Sequence, residues 1–187
     1  MTRWAMVIDL DKCVACQGCS IACRFENNTP PVAPEEAKKG RAMRWNDVFP
    51  LPVNPTEDMG EYPNVKTEYA PRPCMHCENP PCIKVCPVGA TFKNAEGIVE
   101  QNYARCIGCR FCTVGCPYGV RYFNWHAPQW DQDIKLHLNP DKVEASGVLE
   151  GPAVRPQGVV EKCTFCIHRL HKARERAVAE GRGFRAG

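Results

Sequence analysis

No stretch of this chain of 187 residues approaches the run of about 18 apolar residues that spans a bilayer. The longest candidate near the start, Trp4 to Ile8, is cut off by Asp9. A secretory signal is missing as well, because Arg3 is followed by only five apolar residues and no small-residue cleavage site. The chain is therefore expected to be soluble by itself and to be exported only alongside a partner that carries a signal. Charge of one sign is also scarce: 24 Lys and Arg against 21 Asp and Glu leave a formal net charge of +3. That is too little to argue for nucleic acid, and no basic stripe interleaved with aromatics precedes the C-terminal helix. Nothing in the sequence outlines a substrate pocket, so no catalytic residue is proposed from it.

Seventeen prolines and fourteen glycines describe a chain dominated by loops. At this length it forms one domain or two small ones. Its core must be small, and bound metal commonly supplies what apolar burial cannot in such domains.

The abundance is in cysteine, fourteen in all. Cys13, Cys16, Cys19 and Cys23 read C-x2-C-x2-C-x3-C, and so do Cys106, Cys109, Cys112 and Cys116, with Pro117 following. Cys74, Cys77, Cys82 and Cys86 form a variant, C-x2-C-x4-C-x3-C, followed by Pro87; Cys163 and Cys166 begin a fourth run that stays incomplete. Three closely spaced thiolates plus a fourth that reaches a neighbouring site is the ligand pattern of bacterial two-cluster ferredoxins, which hold 4Fe–4S cubes. Zinc ribbons need two C-x-x-C pairs per ion with a spacer, not four cysteines crowded into eleven residues. A disulfide framework needs an oxidising compartment and lacks this rhythm, and a thioredoxin-like pair would be a single isolated C-x-x-C.

Two-residue gaps curve the loop so that backbone amides face the cluster, and Gly18 and Gly108 are expected to permit that approach. Val14, Ala15, Ile83, Val85, Ile107 and Phe111, lying between ligands, are expected to keep water out. Lys12, Arg105 and Lys162 each precede a first cysteine; they either raise cluster potentials or are simply solvated. His76 either hydrogen-bonds near its cluster or is an ordinary satisfied histidine, the preferred reading.

One unit repeats along the chain: a β-prone stretch, one or more polar residues, a basic residue, then cysteine. It appears as Val7–Asp11 before Lys12-Cys13, as Ile98–Glu100 before Arg105-Cys106, and as Val159–Glu161 before Lys162-Cys163. The x3 spacing predicts short helices from the third cysteine onward, over Ser20–Asn27 and Arg110–Gly115, with Pro87 and Pro117 ending such turns. Thr91–Lys93 and Ile98–Glu100 flank Asn94–Gly97 and read as a hairpin. Ile167–Glu180 carries Leu170, Ala173, Ala177 and Val178 at helical spacing, with Arg169, Lys172, Arg174 and Arg176 as a solvated opposite face. Two long proline-rich stretches without cysteine, Thr29–Pro73 and Asn124–Gln157, are expected to be docking surface for partner subunits.

With these motifs in view the chain resembles the four-cluster ferredoxin-like electron-transfer subunits of molybdopterin oxidoreductase complexes, of the dimethyl sulfoxide, polysulfide, tetrathionate and thiosulfate reductase type and of sulfite-oxidising complexes. It is also similar to the iron–sulfur part of alternative complex III. The segments that carry the resemblance are Cys74-Met75-His76-Cys77-Glu78-Asn79-Pro80-Pro81-Cys82, Cys106 to Cys112 with Cys116-Pro117-Tyr118-Gly119, and Glu161-Lys162-Cys163-Thr164-Phe165-Cys166. It implies a loop-rich α+β fold of two bacterial-ferredoxin-like 4Fe–4S modules related by pseudo-symmetry. The inner module covers 74–123, the outer one 1–28 plus 158–187, and 29–73 and 124–157 are insertions.

The resemblance further implies up to four 4Fe–4S clusters. Cys74, Cys77, Cys82 and Cys116 would hold one inner cluster, and Cys106, Cys109, Cys112 and Cys86 the other. Cys13, Cys16 and Cys19 would give three ligands to an outer cluster; Cys23, Cys163 and Cys166 would give three to the last. The family's two remaining cysteines do not occur in the twenty-one residues after Cys166. A continuation of the chain is therefore expected, the alternative being an incomplete cluster such as a 3Fe–4S form. The implied role is a non-catalytic relay between a molybdopterin-type catalytic subunit and a polytopic, quinone-handling membrane subunit, peripheral on the bacterial cytoplasmic membrane. A free-standing soluble polyferredoxin is the rival reading.

Overall fold

A computed structural model describes residues 3–51, 61–63, 67–135, 137–139 and 154–184. Its elements are short: α1 (Gly18–Glu26), α2 (Pro34–Lys38), β1 (Val48–Pro50), β2 (Tyr69–Pro71), α3 (Pro81–Lys84), β3 (Thr91–Lys93), β4 (Val99–Gln101), α4 (Phe111–Val114), β5 (Tyr122–Phe123), α5 (Gln132–Lys135), β6 (Val160–Glu161) and α6 (Ile167–Ala179). The strands pair as three antiparallel two-stranded ladders, β1 with β2, β3 with β4 and β5 with β6. This is a small α+β architecture in which loops carry most of the chain.

The hairpin β3–β4 forms where the sequence pattern places it, with Thr91 opposite Gln101 and Lys93 opposite Val99. Asn94 shapes its turn: the Oδ1 accepts from the amides of Glu96 (3.0 Å) and Ile98 (2.9 Å), an Asx turn. Gly97 closes it at φ 84°, a conformation open to glycine. Ladder β5–β6 pairs Phe123 with Val160 and so brings the stretch before Cys163 against the segment that follows the third cysteine run. The apolar core lies where these pieces meet: Cys82 of α3, Val99 of β4, Cys112 of α4 and Val160 of β6 are buried together, with Ile83, Cys106 and Phe123 packed on them.

Several sequence expectations need correction. Val7–Asp11 is no strand; residues Leu10–Lys12 form a 3-10 turn, and Val7 is 93% exposed. A strand needs a ladder partner, and no described segment pairs with this one. The first run's helix begins at Gly18, two residues earlier than expected, while α4 is confined to Phe111–Val114. On α6 the covered stripe is Ile167, Leu170, Arg174 and Ala177, whereas Ala173 and Val178 face solvent. Arg174 is not simply solvated either: it pairs with Glu96 and lies over the Phe184 ring at 5.3 Å. The cysteine-free stretches are more than surface, since Met43 and Trp45 of the first are buried, as are Asn124 and Arg155 of the second. Pro52, Pro55, Pro140 and Pro152, and the end Arg185-Ala186-Gly187, lie outside the described residues.

Candidate iron–sulfur centres

All four cysteine runs use the same backbone device. The residue before the second cysteine has a left-handed φ in each: Ala15 at 55°, His76 at 42°, Gly108 at 69° and Phe165 at 59°. Left-handed residues alternating with right-handed neighbours turn successive amides to one side, forming the concave nests that hold iron–sulfur anions. Gln17, Arg110 and Cys166, also left-handed, then launch α1, α4 and α6. The device costs strain at three residues that are not glycine.

Cys86, Cys106, Cys109 and Cys112 line one pocket together with Thr91 and Val160. Burial would push the Cys86 thiol up, but the amides of Thr91, Val88 and Ala90 hydrogen-bond to its sulfur and leave it below its ordinary value. Burial pushes Cys112 up, against the pull of Arg121, with Cys106 and Cys82 adding repulsion. Cys77 is raised by burial first, then by repulsion from Cys74, and further by Cys82 and Cys116. Thiols from separate runs thus act on one another, Cys116 on Cys77 and Cys82 on Cys112.

Among the outer cysteines, Asn27 Nδ2 lies 3.6 Å from Cys23 Sγ and 4.0 Å from Cys166 Sγ, so one amide bridges the two ends of the chain. Cys163 is buried, which raises it; the Phe165 amide donates to its sulfur at 3.4 Å. Cys13 is half-buried, and Cys16 and Cys19 are exposed. No disulfide joins any two of the fourteen cysteines. Among the described residues no three His, Cys, Asp or Glu side chains converge tightly enough for one metal ion. Cys86, Cys106, Cys109 and Cys112 instead line a common pocket.

Other residues behave differently from their expectations. Ile107, although 64% exposed, lines the pocket of Cys86, Cys106, Cys109 and Cys112, and Val85 is 37% exposed, but Val14 and Phe111 are exposed and shield nothing. With the amides turned inward, these side chains are left pointing out. Gly18 would tolerate a side chain, its nearest contact being Cys16 Sγ at an ordinary 3.5 Å. Gly108 is required, but for another reason: a Cβ there would lie 2.2 Å from the Gly158 carbonyl oxygen. Lys12 and Arg105 are exposed, yet Lys162 is wholly buried, with Nζ donating to the carbonyls of Val99 and Cys163. Solvation cannot account for it. His76 Nδ1 accepts from the Val99 amide at 3.0 Å. Burial, helped by Lys162 and Arg121, holds its pKa at about 2, so the ring is neutral. Its Nε2, by contrast, is buried without a hydrogen-bond partner, so His76 is only half satisfied.

Sequence reasoning missed Arg155 and Arg121. Arg155 is buried over the Trp45 ring; it donates to Glu161 Oε2 (3.0 Å), to the carbonyl of Asn27 (2.6 Å) and to that of Asn28 (3.1 Å). It ties the segment after Cys23 to the strand before Cys163. Arg121 lies among the inner thiols, where burial would lower its pKa but Cys112, Cys82 and Cys74 raise it. Neither arginine falls in a motif, so only their burial marks them.

The 4Fe–4S dicluster domain family matches residues 65–137. The chain is 47% identical over 181 residues to the iron–sulfur cluster-binding subunit of menaquinone reductase from Nitratidesulfovibrio vulgaris, covering 96% of this chain and 65% of that protein. It is 42% identical to a selenate reductase subunit from Mesobacillus selenatarsenatis, covering 91% of this chain and 54% of that protein. Against the arsenate respiratory reductase iron–sulfur subunit of a Shewanella species it is 39% identical, covering 91% of this chain and 74% of the relative. The chain belongs to the family of reductase iron–sulfur subunits.

Like other members of the family it binds 4Fe–4S clusters, and the amide nests and the four-thiol pocket fit that cofactor. Such subunits carry electrons and do not hold the catalytic centre. The chain spans between about half and two thirds of the length of the first three curated relatives it matches. Among its described residues no helix is long and apolar enough to cross a membrane.

Proposed function

We propose that this chain is the electron relay of a respiratory oxidoreductase complex, passing single electrons between a molybdopterin-type catalytic subunit and a quinone-handling membrane subunit. It sits peripherally on the membrane through those partners. The protein's part is to fix the order and potentials of the clusters, while the redox chemistry belongs to them. Cys74, Cys77, Cys82 and Cys116 hold one inner cluster, and Cys86, Cys106, Cys109 and Cys112 the other. Cys23, Cys163 and Cys166 contribute to one outer cluster, and Cys13, Cys16 and Cys19 to another. The stretches 29–73 and 124–157 take part in docking, although each also sends side chains into the interior.

The observation that carries this reading is the shared pocket of Cys86 with Cys106, Cys109 and Cys112. A ligand borrowed from the neighbouring run forces two clusters to lie close together, as a relay requires. Cys106→Ser in the assembled complex is expected to alter one cluster's electron paramagnetic resonance signal and to interrupt transfer to the partner. Native membrane extracts run by size exclusion separate a relay from a free shuttle. Migration with large partners is expected; migration alone would overturn the assignment.

A further inference from the structure

Arg155, in the second cysteine-free stretch, is neutralised by Glu161 at 3.0 Å. Arg121 is also buried, at 5% exposure, but no carboxylate lies at ion-pair distance from it among the described residues. Its Nη1 donates to Thr91 Oγ1 and to Gln101 Oε1, each at 3.2 Å. Those two neutral groups are themselves joined by a 2.7 Å bond from Thr91 Oγ1 to Gln101 Oε1. The anchor therefore fixes the guanidinium without cancelling its charge. Nη2 is buried with no oxygen or nitrogen partner among the described residues, and Cys112 acts on the guanidinium both by charge and by a side-chain hydrogen bond. Arginine stays protonated at any working pH, and an unpaired buried cation is costly unless something negative faces it.

Its anchors Thr91 and Gln101 line the pocket of Cys86, Cys106, Cys109 and Cys112, and Cys112, Cys82 and Cys74 are the negative groups that act on the guanidinium. Cys82 and Cys112 belong to the same buried core, and in the proposed pairing they serve different clusters. We propose that Arg121 is a potential-setting residue shared by the two inner clusters, a fixed positive charge at their boundary that favours the reduced state of both. The physical reason is direct. An electron arriving at either cluster adds one negative charge and displaces nothing, and a cation held in a poorly screened interior stabilises that added charge. Arg105 is also basic and adjoins the ligand Cys106, but it is exposed, so solvent screens it.

This inference rests on the proposed assignment of the inner ligands. Its test is a redox titration followed by electron paramagnetic resonance on the full-length protein in its native complex, with iron and sulfide quantified alongside. Arg121→Gln removes the charge. Gln101→Glu places a carboxylate against Nη1 at almost unchanged volume and neutralises the charge without removing it. Both are expected to lower the midpoints of two cluster signals enough to raise the oxidised-to-reduced ratio at a fixed ambient potential about tenfold, or about 59 mV for one electron. Arg105→Gln should leave every midpoint in place.

Fully loaded Gln101→Glu protein with unmoved midpoints would overturn the role, as would an equal shift from Arg105→Gln. A shift confined to one cluster would remove the shared position. Should Arg121→Gln fail to assemble, Gln101→Glu decides the matter. Wild-type protein without iron would instead defeat the ligand assignment, a separate and distinguishable failure.

Discussion

Gly108 occupies a point where no side chain fits. Its φ is 69°, and a Cβ would meet the Gly158 carbonyl oxygen at 2.2 Å and the Phe123 ring at 3.1 Å. Gly119 has a similar φ of 62° but open space around it. Gly119→Ala is therefore expected to cost only the left-handed penalty, about 1 to 2 kcal/mol. Gly108→Ala should cost about 3 kcal/mol or more and loosen the contact between the third cysteine run and β6. Denaturant midpoints of the two variants side by side check this; equal losses would show that conformation and not packing makes Gly108 necessary. At the same scale, Arg155→Met strands the buried Glu161 and the carbonyls of Asn27 and Asn28, a loss of about 3 to 5 kcal/mol. The cysteines were legible in the sequence because their spacing is itself the signal. The buried cations were not: Lys12, Arg105 and Lys162 occupy equivalent positions before a first cysteine, yet Lys162 alone is buried. What packs over a residue cannot be read from its neighbours in the chain.

Among the elements, those legible in the sequence are the ones whose partners lie close in the chain. The hairpin β3–β4 closes over Asn94–Gly97 and needs nothing else. Val160–Glu161 forms its strand by pairing with β5, whereas Val7–Asp11 has a similar apolar-then-acidic pattern but pairs with no strand among the described residues. The left-handed residues before the second cysteines of the first and fourth runs could not be foreseen, because Ala15 and Phe165 are not residues that favour that conformation.

Helix α2 offers a test of a different kind. Glu36 binds Lys39 at 2.7 Å, Arg41 at 2.8 Å and His126 at 2.9 Å, joining the two cysteine-free stretches. The bond from Lys39, then those from His126 and Arg41, hold its pKa at about 2, below the ordinary 4.5. As pH falls the unfolded chain takes up this proton first. The stability the carboxylate adds is thus complete above 4.5, shrinks below it, and is gone once the pH falls through about 2. The urea midpoint of the wild type should exceed that of Glu36→Gln at neutral pH and approach it at about pH 3.5. A pH-independent gap would mean that packing, not charge, is what Glu36 contributes.

At the scale of the whole molecule the question is what holds so loop-rich a chain together. The three ladders have two strands each, and such pairs are marginal in isolation. One apolar cluster of the core is made of Cys82, Val99, Cys112 and Val160, and two of these are proposed ligands. Meanwhile Val7, Val14, Ile107, Phe111 and Val114 are all more than half exposed. The segments that meet at Asn27, between Cys23 and Cys166, are 139 residues apart in sequence, so closing that loop is entropically expensive. Cluster binding is then part of the folding free energy, because the nests and the converging thiols are of no use to the unfolded chain. Removing iron with a chelator under anaerobic, reducing conditions is expected to abolish the cooperative thermal transition and to open the amides of β4 and β6 to hydrogen exchange. Alkylated thiols would confirm that metal loss, and not disulfide formation, caused the change. An iron-free protein that still melted sharply, within about 5 °C of the loaded one, would show that Arg155, Lys162 and the small apolar core suffice, and the clusters would be passengers on a scaffold that folds without them.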